Sequence, residues 1–325
     1  MRIFFILIII TGAILFLGSC NAPHDNPLDP ANPDNSLYSI DGTVVTSDPT
    51  AQAISNAQVY WTVDKVYVTT DANGYFKINC KQLKEGWLYF TKGGYNSDSV
   101  KITWGTQKKV SIQEKLNDIP IIDSISIYSS IMNKYSLPTN QLVFEITITD
   151  KDDNIDSVFV QCPNLQINKS IQKISSTYFN DRFSDIDLDL TSFGEVIGNT
   201  FNIYAKTSLG KTYYVGNSTV KRVITDEIET ISPKNEDTLT THFPILSWKR
   251  FLEGFNFTYT IEVYTDEPEP KLLWEKKNVS SDNITITVDD SIVVTPDNNK
   301  YFWDIWCIDE FGDGSRSKPA GFIIE

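Results

Sequence analysis

The sequence predicts an all-β protein built from three consecutive antiparallel β-sandwich domains. Three observations carry this expectation. Runs rich in Val, Ile, Thr and Tyr recur about every eight to twelve residues, separated by Gly, Asn, Asp and Pro clusters, which is the rhythm of sandwich strands and their turns. Aromatic residues make up 12% of the chain while methionine occurs only twice, and no stretch reads as an amphipathic helix of three turns. The chain has 325 residues, too many for one small core and suited to two or three domains.

The first element is not part of a sandwich. Ile3 to Leu17 is apolar and uncharged, follows Arg2, and ends in Leu17-Gly18-Ser19-Cys20. As a helix its ~15 residues span only ~22 Å, short of the ~30 Å hydrocarbon core of a bilayer. A charged start, an apolar stretch and small residues at its end describe an export signal, residues 1–19. The ending resembles the lipobox of bacterial lipoproteins. That resemblance implies a diacylglyceryl group on the Cys20 thiol, cleavage between Ser19 and Cys20, and acylation of the new amine. Several acyl chains at ~0.8 kcal/mol per buried methylene give an anchoring that one chain cannot. Asn21 is not the Asp that, by the family's rule in some bacteria, holds such proteins at the inner membrane, so an outer-membrane lipoprotein of the cell envelope is expected. An ordinary secretory signal with an incidental cysteine is the alternative.

Residues 20–36 follow as a tether. Pro23, Pro27, Pro30 and Pro33 recur among Asn and Asp with almost nothing to bury. Such a segment favours extended polyproline-like backbone at ~3 Å per residue, enough to hold a globular body up to ~50 Å from a bilayer. "DNPLDPANP" is similar to the tethers of lipoproteins from Bacteroidota-like bacteria.

Residues 37–116 read as the first sandwich. In "VTTDANGYFKI", Asp71 and Asn73 offer side-chain turn bonds and Gly74 supplies a positive φ before an alternating strand. Gly42 with Val44, Ile54 with Ala57 and Val59, Thr70-Asp71 with Gly74 and Phe76, and Gly94-Tyr95 together resemble the carboxypeptidase regulatory-like family, a transthyretin-like sandwich. The segment departs from the family at Ser55-Asn56, where Pro-Gly is common. The resemblance implies a binding or spacer module rather than a catalytic one.

Residues 117–225 are expected to form an immunoglobulin-like sandwich, on architecture rather than signature. Leu142, Phe144, Ile146 and Ile148 point inward, as do Val158 and Val160, and Ser208 to Lys211 turn a hairpin at Gly210. Between the first two strands lies "DKDDNID". Its alternate oxygens, Asp150, Asp152, Asn154 and Asp156, resemble a calcium loop of the EF-hand kind. However, Ile155 stands where that loop needs Gly and Gln161 where it needs the bidentate Glu. A plain hairpin turn is the expected reading, with calcium as its alternative.

Residues 226–325 carry Pro244, Leu246 and Trp248 on one strand, then "YTIEVY", then "YFWDIWCIDEFGDGSRS". This order resembles a fibronectin type III domain, with Tyr301, Trp303, Ile305 and Cys307 alternating inward and Gly312 in the following turn. Phe302, Asp304 and Trp306 are out of phase with that core. A flat aromatic beside an acid can grip a sugar ring by stacking and hydrogen bonding, so these three are the candidate ligand-binding residues; packing against neighbouring structure is the plainer reading.

Cys80, Cys162 and Cys307 remain after export, each at a core-facing strand position in a different third of the chain. They are expected to be buried thiols rather than metal ligands or nucleophiles. The net charge of −14 repels a nucleic-acid backbone. The only histidines are His24 and His242, which leaves zinc peptidase sites and Ser-His-Asp triads without material. No glycine-rich phosphate loop opens a helix. The expected protein is therefore not an enzyme. It is a lipoprotein serving binding, adhesion or scaffolding, its partners the membrane through Cys20 and another envelope protein or a glycan. A glycan-capture protein feeding an uptake system is the alternative, and a hydrolase using two carboxylates a third. Asp-Ser/Thr-aliphatic triplets centred on Ser99, Ser124, Ser157, Thr238 and Ser291 also resemble O-glycosylation acceptors of exported Bacteroidota proteins.

Overall fold

The computed structural model describes residues 38–294 and 299–325. The export signal, Cys20 and the tether lie outside the described residues. Among those residues there is no α-helix, only two 3-10 turns at Pro163–Leu165 and Phe193–Val196, and no helix is long and apolar enough to cross a membrane. The rest is strand and loop, and the chain is all-β as its period-two patterning predicts. It divides into two compact units that meet in sequence at Asp118 and Ile119.

The first unit holds β1 (Tyr38–Thr46), β2 (Gln58–Trp61), β3 (Val66–Thr69), β4 (Tyr75–Cys80), β5 (Gly86–Thr91), β6 (Asp98–Ile102) and β7 (Lys109–Leu116). They form a three-stranded sheet, β4-β1-β7, and a four-stranded sheet, β3-β2-β5-β6. Ile40, Val44, Val59, Trp61, Phe76 and Phe90 fill the core between them. Gly42 is required where β1 runs parallel to β7, because a Cβ there would meet the Ile112 carbonyl oxygen at 2.1 Å. The turn into β4 forms as expected: Gly74 has φ +71°, and Asp71 Oδ1 accepts from the N–H groups of Asn73 at 2.8 Å and Tyr75 at 2.9 Å.

The second unit begins with β8 (Ile121–Met132), β9 (Thr139–Thr149), β10 (Ile155–Cys162), β11 (Ile167–Ile171), β12 (Tyr178–Ser184), β13 (Thr200–Thr207) and β14 (Thr212–Thr219). The sheet β12-β9-β8 faces the sheet β11-β10-β13-β14 across Leu142, Phe144, Ile146, Ile148, Val158 and Val160, the side chains that alternation turns inward. β15 (Thr230–Ser232), β16 (Asp237–Leu239), β17 (Ile245–Trp248), β18 (Phe257–Thr265), β19 (Leu272–Ser280), β20 (Thr285–Thr287), β21 (Lys300–Asp309), β22 (Gly314–Arg316) and β23 (Ala320–Ile324) complete the chain. Their core gathers Leu246, Trp248, Tyr259, Tyr301, Trp303, Ile305 and Cys307.

One pairing changes the architecture that the sequence suggests. β22 runs parallel to β8, with Gly314 opposite Ser130 and Arg316 opposite Met132. It thereby fuses the large sheets of both sandwiches into one nine-stranded sheet with the order β12-β9-β8-β22-β21-β18-β19, to which β23 and β16 are added. Most pairings are antiparallel; β1 with β7, β16 with β23 and β22 with β8 are parallel.

Candidate functional site

The fused sheet turns one face outward, and the candidate residues sit on it. On β21, Phe302, Asp304 and Trp306 lie opposite Tyr264, Glu262 and Thr260 of β18. Phe302 spends a ring face on Tyr264, the two rings stacked at 5.2 Å between centroids with planes 16° apart. Asp304 departs from expectation. Strand phase turns it outward, yet it has no exposed surface, and the Arg316 guanidinium lies 3.1 Å from its Oδ2. A buried carboxylate needs a counter-charge, and Arg316 arrives from β22, next to β21, to supply it. Burial pushes the Asp304 carboxyl up from its ordinary range; Arg316 opposes the shift and the Glu262 charge adds to it. Asp304 therefore cannot reach a ligand. The carboxylate available at the surface in its place is Glu262, half-buried on the neighbouring strand.

Trp306 is half-buried and held at two points. Its Nε1 donates to Glu262 Oε2 at 3.0 Å, and the Arg316 guanidinium lies 5.8 Å from its ring centroid. Its neighbour on the other side is Thr260, too short to cover the indole. The ring forms part of a groove of about 660 Å³ that runs over the fused sheet from Tyr128 on β8 to Lys277 on β19. Gly312 and Gly314 leave the middle of this groove without side chains. Tyr128 donates its hydroxyl to Glu145 Oε1 at 3.0 Å, and burial, then Glu145, push that phenol up to about 12. Burial and the nearby Glu262 and Asp304 also push the Tyr264 phenol up, so both tyrosines offer neutral hydroxyls. Arg182, Glu275 and Lys277 complete the polar rim, the last two paired at 3.1 Å.

The groove exists because a buried polar joint holds β8 beside β22. Asp313, 1% exposed, accepts from the Ser129 N–H at 2.7 Å with Oδ1 and from the Arg222 N–H at 3.1 Å with Oδ2. Asp309 Oδ1 accepts from the N–H groups of Phe311 and Asp313, each at 2.9 Å, and its other oxygen pairs with the Arg222 guanidinium. Asn133 Nδ2 donates to the Arg316 carbonyl at 2.8 Å. Tyr128, Arg182, Glu262, Lys277 and Arg316 escape a sequence reading because none stands in a local motif. They are brought together by pairings between strands far apart in the chain.

The acidic run between β9 and β10 is a turn: Asp153 has φ +47°, its N–H donates to the Asp150 carbonyl at 3.1 Å, and the Asn154 N–H donates to Asp150 Oδ2 at 2.8 Å. Asp152 is buried while Asp156 is exposed, and among the described residues no three acidic, His or Cys side chains gather as a metal site. Cys80, Cys162 and Cys307 are buried free thiols, in the strand phase expected. His242, in a loop, is hydrogen-bonded through Nδ1 to the Ile292 carbonyl at 2.8 Å.

With this geometry in hand, residues 40–123 match the family model of the CarboxypepD_reg-like domain. The match begins in β1, covers the rest of the first unit and ends at the start of β8. No curated protein matches the chain. Among solved structures, the chicken CNTN1 FN1–FN3 domains align with 9% identity over 85% of this chain and 92% of that one, at a TM-score of 0.33. The fibronectin(III)-like modules of Clostridium thermocellum CbhA align with 12% identity over 63% of this chain and 93% of theirs, at 0.29. Likenesses of this size leave the architecture to be read from the strand pairing itself.

Proposed function

We propose that the chain is a non-catalytic, lipid-anchored outer-membrane protein that binds a ligand in the groove of its second unit. The single observation behind this reading is Trp306, an indole locked by Glu262 and Arg316 with one face toward a groove of about 660 Å³. A rigid aromatic wall with hydrogen-bonding side chains around it is the usual construction of a ligand site. Cys20 acylation attaches the protein to the membrane and the Pro-rich tether holds it away. The apolar run ending in Leu17-Gly18-Ser19-Cys20 supports that part.

Glycan capture is the second reading, favoured by the indole beside Glu262 and the hydroxyl groups of Tyr128, Ser130 and Thr260 along the groove. A two-carboxylate hydrolase fits less well. Asp304, a carboxyl beside the groove whose proton affinity burial raises, is sealed from solvent, and a general acid must reach the bond it protonates. The test is Trp306→Ala read by retention on a panel of immobilised glycans and envelope proteins, alongside melting temperature. An aromatic anchor is worth ~2 kcal/mol or more of binding, so retention should fall at least tenfold. Unchanged retention with a large drop in melting temperature would mean that Trp306 only packs.

A further inference from the structure

The first unit carries a second constellation, unrelated to the groove. Tyr67 on β3, Tyr60 on β2 and Tyr89 on β5 stand in one cross-strand row on the outer face of the four-stranded sheet. Ring centroids lie 4.3 Å apart for Tyr60 and Tyr67 and 6.5 Å apart for Tyr60 and Tyr89. Neighbouring strands are only ~4.8 Å apart, so rings at this spacing cannot lie flat and must stand on edge. Beyond Tyr89 the row ends at Ser99 on β6, too small to cover the ring, and Tyr89 is 45% exposed.

Two residues along the same strands, Gln58 and Thr91 continue this outer face. With Asn56, Lys92, Gly93 and Ser97 they line a pocket of about 430 Å³; Tyr60 and Tyr89 stand two residues further along the same strands, outside its lining. The lining offers two primary amides, two hydroxyls and one ammonium, and no carboxylate, on a chain of net charge −14. Lys92 has no ion-pair partner among the described residues. Asp98, next to Ser97, turns its Oδ1 back to the Ser99 N–H at 2.7 Å.

We propose that this pocket binds a carboxylated sugar, a hexuronate unit of an acidic polysaccharide. Amides and hydroxyls match the alternating donors and acceptors of a pyranose and the lone ammonium takes the carboxylate, while the exposed Tyr89 ring, next along the strand, offers a surface to an adjoining sugar unit. The absence of a lining carboxylate removes the repulsion that this acidic chain otherwise offers an anion. The site acts independently of the groove.

The experiment uses the chain from Asn21 to Glu325 and trimers of galacturonate, glucuronate and mannuronate, each beside its neutral hexose counterpart, in titration calorimetry. At least one uronate trimer should bind about tenfold or more tightly than its neutral partner, the scale of a charge-assisted hydrogen bond. Added salt should narrow the gap. Lys92→Gln should erase the preference. Gly93→Trp should abolish binding without lowering the melting temperature, since a Cβ at Gly93 meets nothing within 4 Å and no positive φ constrains it. Trp306→Ala should leave uronate binding unchanged, which separates this pocket from the groove. Equal affinity for acidic and neutral trimers, binding that survives Gly93→Trp, or binding of none of the three uronates overturns the proposal.

Discussion

Replacing Asp313 tests whether the two sandwiches of the second unit are joined as one body. Its carboxylate is almost fully buried and accepts two backbone N–H groups, from Ser129 on β8 and from Arg222 in the segment after β14. In Asp313→Ala both donors lose their partner, the Ser129 N–H in a buried place and the Arg222 N–H in a partly buried one. Each orphaned donor costs ~1–3 kcal/mol, so the variant should lose ~4 kcal/mol. Asp313→Asn keeps the volume and one acceptor, orphans one donor, and should lose about half as much, ~2 kcal/mol. In a unit of about two hundred residues each kcal/mol moves the melting temperature by about 2–4 °C, so the steps are about 8–16 °C and 4–8 °C. Thermal unfolding supplies the magnitudes. Hydrogen exchange supplies the location, because the Ser129 amide should lose protection before the core strands do. An Asn variant within ~0.5 kcal/mol of the parent, with Ser129 still protected, would refute the reasoning: β8 and β22 would then be held by something other than this carboxylate.

Further outcomes follow from the same geometry. Thiol reagents at pH 8 should leave Cys80, Cys162 and Cys307 unmodified until the chain is denatured, because all three are buried and burial pushes the Cys80 thiol up to about 11 and Cys307 to about 12; rapid native labelling of any one would contradict its inward phase. The carboxyls of Asp304 and Asp313 are raised above 3.8, mainly by burial, so the folded chain holds these protons more tightly than the unfolded chain. Their stabilising contribution is present below that value and lost as pH rises through the raised values. The second unit should therefore melt higher at pH 5 than at pH 8, by a margin that shrinks in Asp304→Asn; a melting temperature that rises steadily from pH 5 to pH 8 would count against it. Cys20→Ser should move the protein from the membrane fraction to the soluble fraction with its folded units intact, and fatty-acid labelling of the variant equal to that of the parent would rule out lipidation at Cys20.

The fold was legible where local alternation and turn chemistry decide it. Trp303, Ile305 and Cys307 alternate with polar or half-exposed neighbours, and all three are buried. Gly210 and Gly312 adopt the positive φ values, +81° and +87°, that their turns demand. The site was only partly legible. Trp306 was findable because it is out of phase with the core of its strand. The burial of Asp304 is not legible, because period-two phase gives a direction and not an exposure, and the Arg316 guanidinium from the next strand lies against this outward acid. The groove itself had no local signal. It depends on a parallel pairing whose joining residues, Ser129 and Asp313, stand 184 positions apart, and a three-residue strand such as β22 carries too few side chains to announce its partner.

The central claim is that the outward face of the fused sheet, at Trp306, is a ligand surface. The direct measurement is a crystal structure of the mature chain with whichever glycan or protein segment is best retained on the panel. The account predicts that ligand in contact with the free face of the Trp306 indole, between β8 and β18, with Glu262 still bonded to Nε1. A ligand seated on the second unit away from Trp306, with the groove unoccupied at saturation, would contradict it.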